Sequence, residues 1–209
     1  MSAAGRIGPV YVVTDTAAPW SVAEQALAAA RGGARAVQLR DKTASDDDLA
    51  ALARGLMAAL APMGVALIVN DRVEVARAVG ADGLHIGQGD GDPAMVRARI
   101  GPGMMLGLSV EEAGQLGSLP PEVVDYIGAG PVRATASKPD HAPPIGVEGL
   151  ARIVAAAPCP VVAIGGLKVG DGPAVRAAGA VGMAVVSAVT RAADPEGATR
   201  ALVQDWRRV

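Results

Sequence analysis

Short runs of Val, Ile and Leu recur along the chain, separated by longer stretches in which apolar residues return every three or four positions. The runs predict strands at Val10–Thr14, Ala36–Arg40, Ala66–Asn70, Gly83–Ile86, Met104–Ser109, Asp125–Ala129, Val161–Ile164 and Val181–Val186. Most lack alternating polar residues, as expected of strands covered on both faces in a parallel sheet. Their starts lie 17 to 36 residues apart, which suits a crossover helix rather than a hairpin turn. The intervening segments carry helix punctuation. Ser45 precedes Asp46, Asp47 and Asp48, an N-cap with negative charge in the first turn. Leu49, Leu52, Leu56 and Leu60 follow at helical spacing. From Asp194-Pro195 onward, Ala198, Leu202 and Trp206 form one stripe. Gly32-Gly33, Gly80 and Gly179 stand where helix C-caps are expected. The fifth crossover, Val110 to Leu116, is the weakest helix, being short and holding Gly114.

Eight βα units predict an α/β protein, a compact (β/α)8 TIM barrel forming one catalytic domain over residues 1–209. An open doubly wound sheet is the alternative, but no G-x-G-x-x-G follows the first strand, which weakens its dinucleotide-binding version.

Composition narrows the function classes. Lys plus Arg number 19 against 21 Asp plus Glu, a formal charge of -2, so no basic excess exists to neutralise a nucleic-acid backbone. Two Trp, two Tyr and no Phe leave too few rings for base stacking. The 51% hydrophobic fraction excludes intrinsic disorder. One cysteine, Cys159, precludes an intramolecular disulfide and suits a reducing cytosol; wedged between Pro158 and Pro160, it reads as an inert thiol. The start, MSAAGRIGPV, has no apolar core of a secretory signal. The most apolar stretch, Ile153 to Leu167, is broken by Pro and Gly and falls short of a membrane span. The expectation is a cytoplasmic protein with no nucleic-acid or membrane partner; apolar helix faces are compatible with a homo-oligomer, whose interface the sequence does not fix.

In TIM barrels the chemistry sits at the C-terminal strand ends. Those positions hold Thr14-Asp15, then Gln38-Leu39-Arg40-Asp41-Lys42, then Asn70-Asp71, then His85, Gln88 and Asp90. Ser109 ends the fifth strand, Gly130-Pro131 and Thr135-Ala136-Ser137-Lys138 follow the sixth, and Gly165-Gly166 and Ser187 follow the last two. Singly, each has a bland reading: Arg40 or Lys42 as a solvated charge, Asp71 as the cap of a helix near Arg72, Asp90 as a turn residue, His85 as a satisfied core histidine. Together, at one end of an apolar barrel, they favour function. Gly-rich loops after the last two strands let backbone N–H groups approach a phosphate monoester. Arg40, Lys42 and Lys138 with two separated carboxylates, Asp71 and Asp90, suit a diphosphate with a hard ion such as Mg²⁺. Two His and one Cys argue against a zinc site. These residues imply a metal-assisted reaction joining a phosphomonoester to a diphosphate-bearing substrate, with Gln38 and Ser109 left to orient a neutral polar ring.

The chain resembles the thiamine-phosphate synthase family. The matching stretches are YVVTD at Tyr11–Asp15, VQLRDK at Val37–Lys42, IVND at Ile68–Asp71 and ADGLHIGQGD at Ala81–Asp90. They continue with LGLS at Leu106–Ser109, GPVRATASKPD at Gly130–Asp140, APPIGVEGL at Ala142–Leu150, AIGGL at Ala163–Leu167 and MAVVSA at Met183–Ala188. The resemblance implies a (β/α)8 transferase of thiamine biosynthesis that joins hydroxymethylpyrimidine diphosphate to a thiazole phosphate, releasing pyrophosphate. It implies Gln38, Leu39, Arg40, Asp41, Lys42, Asn70, Ser109 and Lys138 as pyrimidine-diphosphate ligands, with Arg40, Lys42, Ser109 and Lys138 catalytic. It further implies Thr135, Ala136, Ser137, Gly166, Val186 and Ser187 around the thiazole phosphate, and Asp71 and Asp90 as Mg²⁺ ligands. Ser137 replaces a usual Thr, and Arg133 and Ala134 stand where the family often has an aromatic residue and a Pro. No role is assigned to the stretch from Glu111 to Glu122. Two alternatives stay open: a thiazole tautomerase-like barrel, and a non-catalytic regulator that binds thiamine precursors.

Overall fold

The computed structural model describes residues 2–117, 119, 122–135, 137 and 142–208. Eight strands, β1 (Val10–Val13), β2 (Ala36–Leu39), β3 (Ala66–Asn70), β4 (Gly83–Ile86), β5 (Met105–Val110), β6 (Tyr126–Ala129), β7 (Val161–Ile164) and β8 (Gly182–Val185), form a closed barrel in sequence order. Every neighbouring pair is parallel, including β8 with β1. Closure excludes the open doubly wound sheet. The expected strands recur within a residue or so at each end.

The helices are α1 (Ala3–Ile7), α2 (Val22–Arg31), α3 (Asp46–Leu60), α4 (Val73–Val79), α5 (Pro93–Ile100), α6 (Gly146–Ala156), α7 (Gly172–Ala177), α8 (Ser187–Thr190) and α9 (Pro195–Arg207). Local sequence accounts for their ends. Ser45 accepts from the Asp48 N–H to open α3, and Asp194 accepts from the Gly197 N–H to open α9 behind Pro195. Gly80 ends α4 in the left-handed conformation that a Cβ disfavours. No helix among the described residues is long and apolar enough to cross a membrane.

Strand alternation divides the interior in two. Tyr11, Ala36, Ile68, Met105, Tyr126 and Ala184 point into the barrel, and Ile7 of α1 completes this inner cluster. Their neighbours Val12, Val37, Leu39, Val69, Leu106 and Ile127 point outward against the helices. The sequence reading gave no hint of α1, which is short and apolar on only one side.

Two expectations fail. The expected helix from Val110 to Leu116 does not form: β5 runs on to Val110, and among the described residues of the crossover only a 3-10 turn at Ala113–Leu116 follows. Gly114 and the shortness of the segment leave nothing to propagate a helix. Asp71 does not cap α4, whose N-cap is Arg72 with no side-chain cap bond.

Candidate active site

The strand ends open into one cavity of about 500 Å³ at the C-terminal end of the barrel. Gln38, Arg40, Lys42, Asn70, Asp71, Asp90 and Ser109 line one half of it, from β2 to β5. Thr135, Ser137, Gly166, Val186 and Ser187 line the other, from β6 to β8. Leu39 and Asp41 do not line it. The Leu39 side chain alternates outward into the helix-facing core, and Asp41 accepts bonds from the N–H groups of Thr43 and Ala44 in its own turn. Ala136 and Lys138 lie outside the described residues.

The first half is built from charged side chains. Lys42 Nζ stands 3.9 Å from Asp71 Oδ2, and Arg72 Nε 3.7 Å from Asp71 Oδ1. Asp71 has φ +48, a left-handed conformation that costs about 1–3 kcal/mol in a non-glycine residue and collects at functional sites. Burial pushes its carboxyl above the usual range, the nearby charge of Asp90 pushes the same way, and Lys42 and Arg72 pull it down. Asp90 is fixed by the Gly87 N–H, which donates to Oδ2 at 2.6 Å. Two carboxylates from consecutive loops therefore converge, close enough for one charge to perturb the other. Among the described residues no group of three or more His, Cys, Asp or Glu could hold a metal. The described residues form no protein cage, but an oxygen-only pair of carboxylates fits Mg²⁺, which typically completes its shell with water and substrate phosphate.

The second half is built from backbone. Gly165 and Gly166 follow β7 with φ +96 and +65. The loop after β6 lies directly on them: Val132 N–H donates to Ile164 O at 2.8 Å and Arg133 N–H to Gly165 O at 3.0 Å. A Cβ on Gly166 would meet the Ala134 carbonyl oxygen at 2.4 Å, so only glycine fits. Arg133 forks onto Asp171 Oδ1 at 2.9 and 2.6 Å. It ties the β6 loop to the N-terminus of α7.

The floor adds two residues to which the sequence assigned no role, Tyr11 and Tyr126. Gln38 Nε2 donates to the Tyr11 hydroxyl at 2.8 Å, which meets the Tyr126 hydroxyl at 3.0 Å. That hydroxyl meets His85 Nδ1 at 3.1 Å, and His85 Nε2 meets Ser109 Oγ at 2.9 Å. His85 is thus a satisfied core histidine, but it is also a wall of the cavity. Burial lowers its pKa to about 4 despite Asp90, and raises those of Tyr11 and Tyr126, so all three are neutral near pH 7. A signal existed: the only two tyrosines both fall at inward-facing strand positions. Cys159 is buried enough that its thiol is pushed up to about 11, as an inert thiol should be.

Known proteins bear out the resemblance. The family model described as thiamine monophosphate synthase matches residues 10–189. A thiamine-phosphate synthase of a Roseiflexus species is 48% identical over 200 residues, covering 93% of this chain and 84% of that one. The thiamine-phosphate synthase of Azorhizobium caulinodans is 47% identical over 195 residues, covering 92% of each. Among solved structures, thiamine phosphate pyrophosphorylase from Pyrococcus furiosus superimposes with a TM-score of 0.88 at 33% identity, covering 97% of this chain and 96% of that one. A 3-hexulose-6-phosphate synthase, at 18% identity and a TM-score of 0.67, shares the fold alone. With a matching barrel, matching motifs and this degree of identity, the chain belongs to the thiamine-phosphate synthase family.

Proposed function

We propose that this barrel joins a 4-amino-5-hydroxymethylpyrimidine diphosphate to a thiazole phosphate, forming thiamine phosphate and pyrophosphate. One observation carries the reading: a single cavity has a charged half suited to a diphosphate and a backbone half suited to a monoester. The pyrimidine CH₂–O bond breaks, the electron pair leaves with pyrophosphate, and the thiazole nitrogen attacks the CH₂ carbon. Such a substitution asks for leaving-group stabilisation and alignment rather than a strong base.

Arg40 and Lys42, with Lys138, hold the departing diphosphate. Asp71 and Asp90 fit as the protein ligands of Mg²⁺, whose contribution when bound is to neutralise charge on the diphosphate oxygens. Asn70, beside Asp71 at the end of β3, and Gln38, at one end of the floor network, orient the pyrimidine ring, and Ser109, at the other end, binds the diphosphate. Thr135, Ser137, Gly166, Val186 and Ser187 hold the thiazole phosphate. The test is turnover of the two purified substrates with and without Mg²⁺. The reading expects thiamine phosphate and pyrophosphate in equal amounts, dependent on Mg²⁺. Isomerisation of a thiazole phosphate alone would support the tautomerase alternative, and binding without turnover the regulator.

A further inference from the structure

The floor network has a direction, and that direction has consequences at both ends. Gln38, Tyr11, Tyr126, His85 and Ser109 come from five different strands or strand ends and meet in one line across the barrel. Register explains how they fit. His85 on β4, Gly107 on β5 and Tyr126 on β6 are paired residues in one row. A Cβ on Gly107 would meet Tyr126 Cζ at 2.2 Å and His85 Nδ1 at 2.5 Å. The glycine leaves the space in which the two side chains join.

Proton counting then fixes the roles. Gln38 spends an amide hydrogen on Tyr11, so Tyr11 turns its own hydrogen to Tyr126. Tyr126, accepting from Tyr11, donates to His85 Nδ1. A neutral imidazole that accepts at Nδ1 carries its hydrogen on Nε2, and that hydrogen goes to Ser109 Oγ. Every internal group gives one hydrogen and takes one. What remains at one end is Gln38 Oε1, an acceptor with no partner among the described residues, beside the second Nε2 hydrogen, and at the other end the Ser109 hydroxyl hydrogen. Both ends line the cavity.

We propose that Tyr11, Tyr126 and His85 are positioning residues that lock Gln38 as a hydrogen-bond acceptor and Ser109 as a donor, making the site selective for an amino-substituted pyrimidine over its oxo counterpart. The inference rests on the function proposed above. An exocyclic amino group donates to Gln38 Oε1, whereas an exocyclic oxygen would set acceptor against acceptor. Ser109 in turn donates to an anionic diphosphate oxygen. To put an N–H in the place of Oε1, opposite the exocyclic group, Gln38 would have to flip and all four links reverse, so a single group cannot adapt alone. A site built to bond one partner rejects the analogue that leaves buried polar groups unpaired.

The test has one arm that needs no turnover. ¹⁵N shifts of His85 in the free protein are expected to show a protonated Nε2 and an unprotonated Nδ1; the opposite tautomer overturns the proposal. The second arm compares kcat/KM for the aminopyrimidine diphosphate and its 4-oxo analogue in the parent, Tyr11→Phe and Tyr126→Phe, which keep the rings and lose the hydroxyls. The preference for the amino substrate should fall about ten-fold in each variant, while KM for the thiazole phosphate stays within about two-fold. An unchanged preference overturns the proposal even if both rates fall, since a merely structural loss slows both substrates alike. A parent protein that turns over neither substrate removes the proposed function, and the tautomer measurement still decides the direction of the network.

Discussion

On the proposed function, the two halves of the cavity hold phosphates with different material. From β2 to β5 the lining is of charged side chains, with Asp71 strained and partly buried beside Asp90. From β6 to β8 it is of glycines and small residues, stacked so closely that the Ala134 carbonyl occupies the space of a missing Cβ. The first half stores its cost in electrostatics and can lose one group without losing its shape. The second stores its cost in shape and is sensitive to one methyl. Loss of charge should therefore damage function and spare the fold on one side, and added bulk should damage binding on the other.

The largest expected effect falls on the carboxylates. Asp71→Asn and Asp90→Asn should each lower turnover on the order of a hundred-fold, the scale of a lost metal-assisted charge contribution. Calorimetry of pyrophosphate with and without Mg²⁺ gives the direct check, because the two ligands must raise each other's affinity by one factor. That factor should collapse in either variant, and pyrophosphate affinity indifferent to Mg²⁺ in the parent would sink the metal assignment. Asp71→Asn should also raise Tm. It removes a carboxylate disfavoured by burial and by Asp90, and Asn tolerates a positive φ.

A second effect separates the neutral floor from the charged rim. His85 titrates at about 4 in the fold against an ordinary 6.5. Above 6.5 neither state is protonated and the group contributes nothing to pH dependence. As pH falls from 6.5 towards 4 the unfolded chain takes a proton that the folded one refuses, so stability is lost across that window. The loss is about 3 kcal/mol by 1.36 kcal/mol per pKa unit. Denaturant titrations from pH 7 to 4 should show this component in the parent and lack it in His85→Asn. Parallel curves would place the imidazole in a wetter site than the structure does.

The backbone half is probed by a matched pair. Gly166 and Gly80 have nearly the same φ, +65 and +66, but only Gly166 has atoms where a Cβ would go. Gly166→Ala should raise KM for the thiazole phosphate by about ten-fold or more, because the conformational penalty of roughly 1–2 kcal/mol comes with displacement of the β6 loop. Gly80→Ala should pay the conformational penalty in Tm alone. Equal KM values in the two variants would show that Gly166 does not shape a ligand site.

This contrast also explains what could be read from the sequence. The strands were legible because each is a short apolar run, and the charged half because Arg40, Lys42, Asp71 and Asp90 are conspicuous after such runs. Glycines after β7 suggested a phosphate loop, but not that the β6 loop rests on them, since that contact joins backbones 30 or so residues apart. The floor network was hidden for another reason. His85 and Tyr126 look like core residues until strand register sets them in one row around Gly107, where the Tyr11 hydroxyl meets that of Tyr126. Register is a property of closure, and no local pattern carries it.

The smallest effect is expected at Arg133. Its guanidinium binds Asp171 Oδ1 in a fork, and Asp171 Oδ2 also accepts from the Lys168 N–H. An ion pair with one partner half-exposed is worth at most about 1 kcal/mol. Two backbone bonds, from Val132 N–H to Ile164 O and from Arg133 N–H to Gly165 O, hold the same loop and survive any side-chain change. Arg133→Met should therefore lower Tm slightly and change KM for the thiazole phosphate by less than about three-fold, a shift worth under 1 kcal/mol. Comparison with Gly166→Ala makes the result informative. If losing the Arg133 fork costs as much binding as adding a methyl to Gly166, then a side-chain clasp, and not stacked backbone, shapes this half of the cavity, and the division between the two halves fails.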